Sequence, residues 1–251
     1  MKVLVDGQLI EYKDEGKGKV VVLLHGWGMN LGTYDALATD LSSKFRVVRL
    51  DFPGFGGSPK PDDSWGVGEY AQLTAGFLQK LKITNVSALI GHSFGGRVII
   101  KGISSGSLKS DKVVLMGSAG VKPKDAVRKQ VFKVIAKTGK VATKLPGLKK
   151  LRPFLQEKLY AAAGSTDYLR AEKLQKIFVN TVNEDLLPNV SSITQKTLMI
   201  WGETDDQTPV ADAEKIKEKL KDASLIVVPD AGHFVYSDAY PLVIKELRKF
   251  L

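Results

Sequence analysis

Val86-Ser87-Ala88-Leu89-Ile90-Gly91-His92-Ser93-Phe94-Gly95-Gly96 is the stretch on which the fold turns. Val86–Ile90 is a short, mostly apolar run and reads as a strand. The residues from Phe94 to Ser105 read as a helix. Between them Gly91-His92-Ser93-Phe94-Gly95 is a G-x-S-x-G match. Small residues on both sides let the backbone turn sharply from strand to helix, which leaves the Ser93 oxygen exposed. The start of a helix also favours negative charge developing nearby. Gly-rich strand-to-helix turns bind phosphates too. This one lacks G-x-G-x-x-G and a Walker lysine, which argues against that use.

Working outward, strand-like and helix-like stretches alternate. Val3–Val5 and Leu9–Tyr12, around Asp6-Gly7, read as an antiparallel hairpin. Val20–Leu24 is a continuous apolar run, as expected of a strand buried on both faces. Val47–Leu50 follows the amphipathic stretch Tyr34–Leu41, Val86–Ile90 follows Tyr70–Leu81, and Val113–Met116 follows Val98–Ile103. Thr197–Trp201, Val210–Leu220, Leu225–Val228 and Pro241–Phe250 complete the pattern. The alternation predicts an α/β fold, a mostly parallel twisted sheet with helices on both faces.

From about Gly120 to about Ile193 the alternation stops. Val127, Val131, Val134 and Ile135 share one helical face, and Lys129, Lys133 and Lys137 repeat on another. The spacing predicts a helical insertion over one end of the sheet. The core is then 1–120 and 193–251, with the insertion at 121–192.

Hydrophobic residues make up 43% and charged residues 25% of the 251, an ordinary balance for one large core. There is no Cys, so disulfides, thiolate metal sites and thiol nucleophiles are excluded. No apolar stretch approaches the ~18 residues that a membrane span needs, and a cytoplasmic protein is expected. The formal net charge is +10. Twelve Lys or Arg against two acids, Asp125 and Glu157, fall between Lys122 and Lys158, which leaves the rest near neutral. Nucleic-acid signatures are missing, and no nucleic-acid partner is expected.

A serine hydroxyl is a weak nucleophile at neutral pH and needs a general base. The histidines are His25, His92 and His233. His92 sits beside Ser93 in a tight turn, where its side chain should point elsewhere. His25 ends a central strand. His233, in Ala231-Gly232-His233-Phe234, follows Leu225–Val228 and can reach a site at the strand's end, so elimination makes it the base. Its orienting acid is expected in Trp201-Gly202-Glu203-Thr204-Asp205-Asp206-Gln207-Thr208-Pro209. Spacing alone does not separate Asp205 from Asp206. The order serine, acid, histidine is that of α/β-hydrolases. An oxyanion hole needs two converging N–H donors. Phe94, after the nucleophile, and Trp27, in His25-Gly26-Trp27-Gly28, are the candidates.

Together these motifs, with Asp51-Phe52-Pro53-Gly54-Phe55-Gly56-Gly57-Ser58, resemble the α/β-hydrolase superfamily over nearly the whole chain. The resemblance implies an eight-stranded sheet and a helical cap at 121–192. It favours Asp205, three residues after Gly202 and four before Pro209, over Asp206. Ser93 argues against the dehalogenase and epoxide hydrolase relatives, which use Asp at that turn. Phe234, where many C–C bond hydrolases have Trp, lowers that reading.

The expected activity is that of a serine carboxylesterase, hydrolysing small to medium esters through an acyl-enzyme on a Ser93–His233–Asp205 triad. No cofactor and no metal are expected. The alternatives are a C–C bond hydrolase of ring-cleavage products, a carrier-protein methyl-ester esterase, and a non-catalytic ligand receptor. The basic insertion suits an anionic substrate or an acidic carrier protein drawn by long-range attraction. A solvated helix face is the plainer account of the same lysines.

Overall fold

The computed structural model describes residues 1–122 and 174–251. The lysine repeat at Lys129, Lys133 and Lys137, and the rest of the expected insertion from 123 to 173, lie outside them. The strands are β1 (Lys2–Val5), β2 (Gln8–Glu15), β3 (Val20–Leu24), β4 (Arg46–Leu50), β5 (Val86–His92), β6 (Lys112–Met116), β7 (Lys196–Gly202) and β8 (Ala223–Val228). The helices are α1 (Asp35–Leu41), α2 (Val67–Lys80), α3 (Phe94–Ser104), α4 (Gln175–Asn183), the short α5 (Leu187–Val190), α6 (Val210–Lys219), the short α7 (Val235–Asp238) and α8 (Tyr240–Phe250).

The strands form one eight-stranded sheet in the order β1-β2-β4-β3-β5-β6-β7-β8. β1 and β2 make the expected hairpin and β2 joins β4 antiparallel; every pairing from β4 to β8 is parallel.

The side-chain alternation of the strands divides the core into two layers. Val22 and Leu24 of β3, Val48 and Leu50 of β4, Val113 and Leu115 of β6, and Met199 and Trp201 of β7 face one side. There they pack on Val67, Tyr70 and Phe77 of α2, Val98 and Ile99 of α3, and Ile216 of α6. Val21, Leu23, Val47, Val114, Met116, Leu198 and Ile200 face the other, against Leu37 and Leu41 of α1 and Val243 and Leu247 of α8. Both faces of each central strand are thus covered, which is why these strands read as unbroken apolar runs.

β3 pairs with β4 on one side and β5 on the other. The connections leaving these strands diverge at their carboxyl ends, where open α/β sheets leave a crevice for a ligand. Leu24 lies opposite Gly91, and His92 opposite Met116, so the loops after β3, β5 and β6 start side by side.

Candidate active site

The turn between β5 and α3 carries a strained residue. Ser93 has φ 48° and ψ −107°, a conformation that L side chains rarely adopt. The surroundings over-determine it. Ser93 N–H donates to the Met116 carbonyl at 3.1 Å, and the Ser93 carbonyl accepts from Gly96 at 3.1 Å and Ala119 at 3.1 Å. A Cβ on Gly95 would run into the Leu24 carbonyl, so only glycine lets α3 start this close to β3. The half-buried Ser93 side chain is held at the sheet's carboxyl edge.

His233 lies in the loop after β8. Its Nδ1 is 2.9 Å from Oδ2 and 3.0 Å from Oδ1 of Asp205, on the loop after β7. A carboxylate only accepts, so this contact places the imidazole proton on Nδ1 and leaves Nε2 with a free lone pair. Asp205 also accepts from Gln207 N–H (3.0 Å), Thr208 N–H (2.9 Å) and Thr208 Oγ1 (2.8 Å). Burial pushes the Asp205 carboxyl up, but hydrogen bonds from His233 and Thr208 and attraction to His233 outweigh it and hold it below its usual value. Asp206 is exposed, so the pair that spacing left open is separated by geometry.

The other two histidines serve as fixed neutral struts. His92 donates through Nε2–H to the His233 carbonyl at 2.9 Å, and the two rings meet at a tilt with their centres 4.7 Å apart. Burial, followed by repulsion from His233, pushes His92 down to about 3. His25 Nε2 accepts from Phe52 N–H at 3.0 Å, so its Nδ1–H faces the Gly26 carbonyl at 2.8 Å. Burial pushes His25 down to about 4. It thereby ties the loop after β3 to the loop after β4, where Asp51 accepts from Leu31 and Gly57.

Met29 N–H closes onto the Gly26 carbonyl and Ser93 N–H onto Met116. Neither Trp27 N–H nor Phe94 N–H takes a backbone carbonyl among the described residues. Phe94 opens α3, where an N–H has no partner within the helix. The Trp27 ring is locked against Phe55 (4.9 Å), Phe94 (5.3 Å) and Phe178 of α4 (5.2 Å), which fixes its backbone. Among the described residues no group of three or more acids and histidines could hold a metal ion.

Arg97 and Thr208 were not legible as site neighbours. Arg97, one turn into α3, is buried and donates through Nη2 to the carbonyls of Thr181 (2.7 Å) and Glu184 (2.5 Å). Lys101 reaches the Glu184 carboxylate at 2.7 Å. These bonds pin the end of α4 onto α3, the helix that follows Ser93.

The model of the Alpha/beta hydrolase family matches residues 21–246. The chain belongs to this family. It is 27% identical over 262 residues to the 2-hydroxy-6-oxo-6-phenylhexa-2,4-dienoate hydrolase of Burkholderia cepacia, covering 92% of this chain and 88% of that one. The fold is shared with a thermophilic esterase from Thermogutta terrifontis, at TM-score 0.77 and 20% identity over 100% of this chain and 97% of that one. It is shared equally with an esterase from Exiguobacterium antarcticum, at TM-score 0.76 and 24% identity over 99% and 98%. This α/β hydrolase has no helix, among its described residues, long and apolar enough to cross a membrane.

Proposed function

We propose that the hydrolase cleaves small to medium carboxylic esters, with Ser93 as nucleophile, His233 as general base and Asp205 as its orienting acid. The observation that carries this reading is the buried Asp205–His233 Nδ1 contact, which leaves the Nε2 lone pair free to take a proton; the strained turn at Ser93 supports it. Ser93 Oγ attacks the ester carbonyl carbon and its proton passes to His233 Nε2. The negative oxygen formed there takes the unpartnered N–H groups of Trp27 and Phe94; each such donor supplies roughly 10²–10³-fold in rate. Collapse expels the alcohol with the proton from His233. A water, deprotonated by His233, then attacks the acyl carbon; the bond to Ser93 Oγ breaks, the proton returns from His233 to Oγ, and the acid is released. The test is a panel of p-nitrophenyl esters with wild type beside Ser93→Ala. Turnover that disappears in the variant is expected, and full activity in it sinks the mechanism.

The likeness to the Burkholderia cepacia protein favours a second reading. The compound in that protein's name contains no ester, so its hydrolysis breaks a carbon–carbon bond beside a ketone. The same three side chains suit either bond. Rapid turnover of p-nitrophenyl butyrate with none of a 2-hydroxy-6-oxo-dienoate supports the ester reading, and the reverse supports the other.

Residues 121–192 are proposed as a cap that selects the substrate. Its twelve basic residues between Lys122 and Lys158 suit an anionic substrate or an acidic carrier protein. Such steering requires kcat/KM for an anionic ester to fall between low salt and about 0.5 M.

A further inference from the structure

We infer that Thr208 is a positioning residue, whose hydroxyl sets the orientation and basicity of His233 through Asp205. This rests on the Ser93–His233–Asp205 reading. Thr208 is buried in the loop after β7, just before Pro209. Its Oγ1 lies 2.8 Å from Asp205 Oδ2, 3.3 Å from His233 Nδ1 and 3.1 Å from the Gly117 carbonyl. One hydroxyl carries one proton, and His233 Nδ1 already gives its own to Asp205. The Thr208 proton therefore goes to Asp205 Oδ2, the nearer and charged acceptor, with the Gly117 carbonyl lying farther off. Gly117, at the end of β6, has φ 47°; a Cβ there would lie 3.1 Å from Asp205 Oδ2 and 3.4 Å from His233 Nδ1. The hydroxyl is thus wedged between the acid, the base and the neighbouring strand.

Thr208 also binds Asp205 through its backbone N–H at 2.9 Å, and Trp201 Nε1–H holds the Thr208 carbonyl at 2.8 Å. These bonds do not need the hydroxyl, so the loop is anchored independently of it. The hydroxyl adds a donor to a carboxylate that already accepts two N–H groups and the imidazole. Each donor to the carboxylate spreads its charge and weakens its hold on a proton at His233. Removing one strengthens that hold, and His233 then takes its proton at higher pH.

The other titratable groups facing His233 stay in place. His92 on β5 packs on it at a tilt, Tyr236 of α7 packs on His92 at 4.9 Å, and Tyr34 packs on Tyr236 at 5.4 Å. The Asp238 carboxylate is held by Gly232 N–H at 2.9 Å.

The experiment compares wild type, Thr208→Val, Thr208→Ala and Thr208→Ser on p-nitrophenyl butyrate across pH, with Ser93→Ala as reference. In the Val and Ala variants kcat is expected to fall roughly tenfold with KM nearly unchanged, the size of one lost hydrogen bond to a charged group. The acid limb of kcat/KM is expected to move to higher pH, since it reports the free enzyme's base. Thr208→Ser restores both. Wild-type kcat and limb in Val and Ala overturn the assignment, as does an equal loss in Ser. A fall in kcat with an unmoved limb, or failure of both hydroxyl-free variants to fold, makes the hydroxyl merely structural and overturns it too. If Ser93→Ala is inactive while Thr208→Val is normal, only the Thr208 role fails. If Ser93→Ala stays active, the triad reading fails and the Thr208 role falls with it.

Discussion

His233 meets Asp205 edge-on, with Nδ1 at 3.0 and 2.9 Å from the two carboxylate oxygens. Neither side chain is more than 5% exposed. An Asn at 205 keeps the shape but can turn an N–H₂ towards Nδ1, which drives the imidazole proton to Nε2 and blocks the base. Asp205→Asn is therefore expected to lower kcat by roughly 10³–10⁴. Asp206→Asn, one residue along and exposed, is expected to stay within about twofold of wild type. Steady-state rates on one ester compare them, and equal losses in the two variants contradict the assignment.

Ser93 pays with backbone strain for its place at φ 48°. Glycine adopts that conformation freely, and strain of this kind costs on the order of 1–3 kcal/mol. Glycine also gives the unfolded chain more freedom, which offsets about 0.5–1 kcal/mol. Ser93→Gly is expected to be inactive yet about 1 kcal/mol more stable in urea unfolding. Ser93→Ala, which keeps its Cβ, should be inactive without that gain. A Gly variant less stable than the Ala variant would show that the strain is not there.

The sheet was readable because its central strands are buried on both faces, which writes them as runs such as Val20–Leu24 between amphipathic stretches. The antiparallel start was readable from Asp6-Gly7, whose φ values of 45° and 80° are those of a tight hairpin turn. Ser93 and His233 could be singled out because their chemistry leaves few choices in a chain with three histidines. Asp205 and Asp206 were not separable by spacing, since neighbours in a loop differ by which way the backbone turns. What turns Asp205 inward is acceptance of N–H from residues 207 and 208, a local pattern short acidic side chains favour. Arg97 was hidden because the carbonyls that it binds lie 84 and 87 residues away and bear no side-chain signature.

His25 and His92 make stability depend on acid. Their folded values, about 4 and about 3, lie below the ordinary 6.5, so between those limits the unfolded chain binds more protons. The stability they carry is present above pH 6.5 and is lost as pH falls towards 3. Two units below 6.5, at about pH 4.5, the two together cost on the order of 5 kcal/mol. Urea midpoints by circular dichroism are expected to drop steeply from pH 7 to 4.5. His92→Gln, which retains a donor for the His233 carbonyl, should flatten that slope. An unchanged midpoint over the same range contradicts buried neutral histidines.

Arg97→Met tests how α4 is held over the site. A buried charge replaced by an apolar side chain of similar size is often tolerated. Here the acceptors are not acids but the Thr181 and Glu184 carbonyls at the end of α4, which lack helical partners of their own. Leaving a buried acceptor unmet costs about 1–3 kcal/mol each, more than one methionine regains in packing. Lys101 still holds Glu184 by its side chain, so α4 should loosen rather than leave. The expected result is a stability loss of about 2–4 kcal/mol, with faster amide hydrogen exchange across Gln175–Asn183 and little change across β3 and β5. Because Phe178 packs on Trp27, the loosening should also raise KM for bulky esters more than for acetate. Wild-type exchange across Gln175–Asn183 in this variant would sink the claim that Arg97 is the pin.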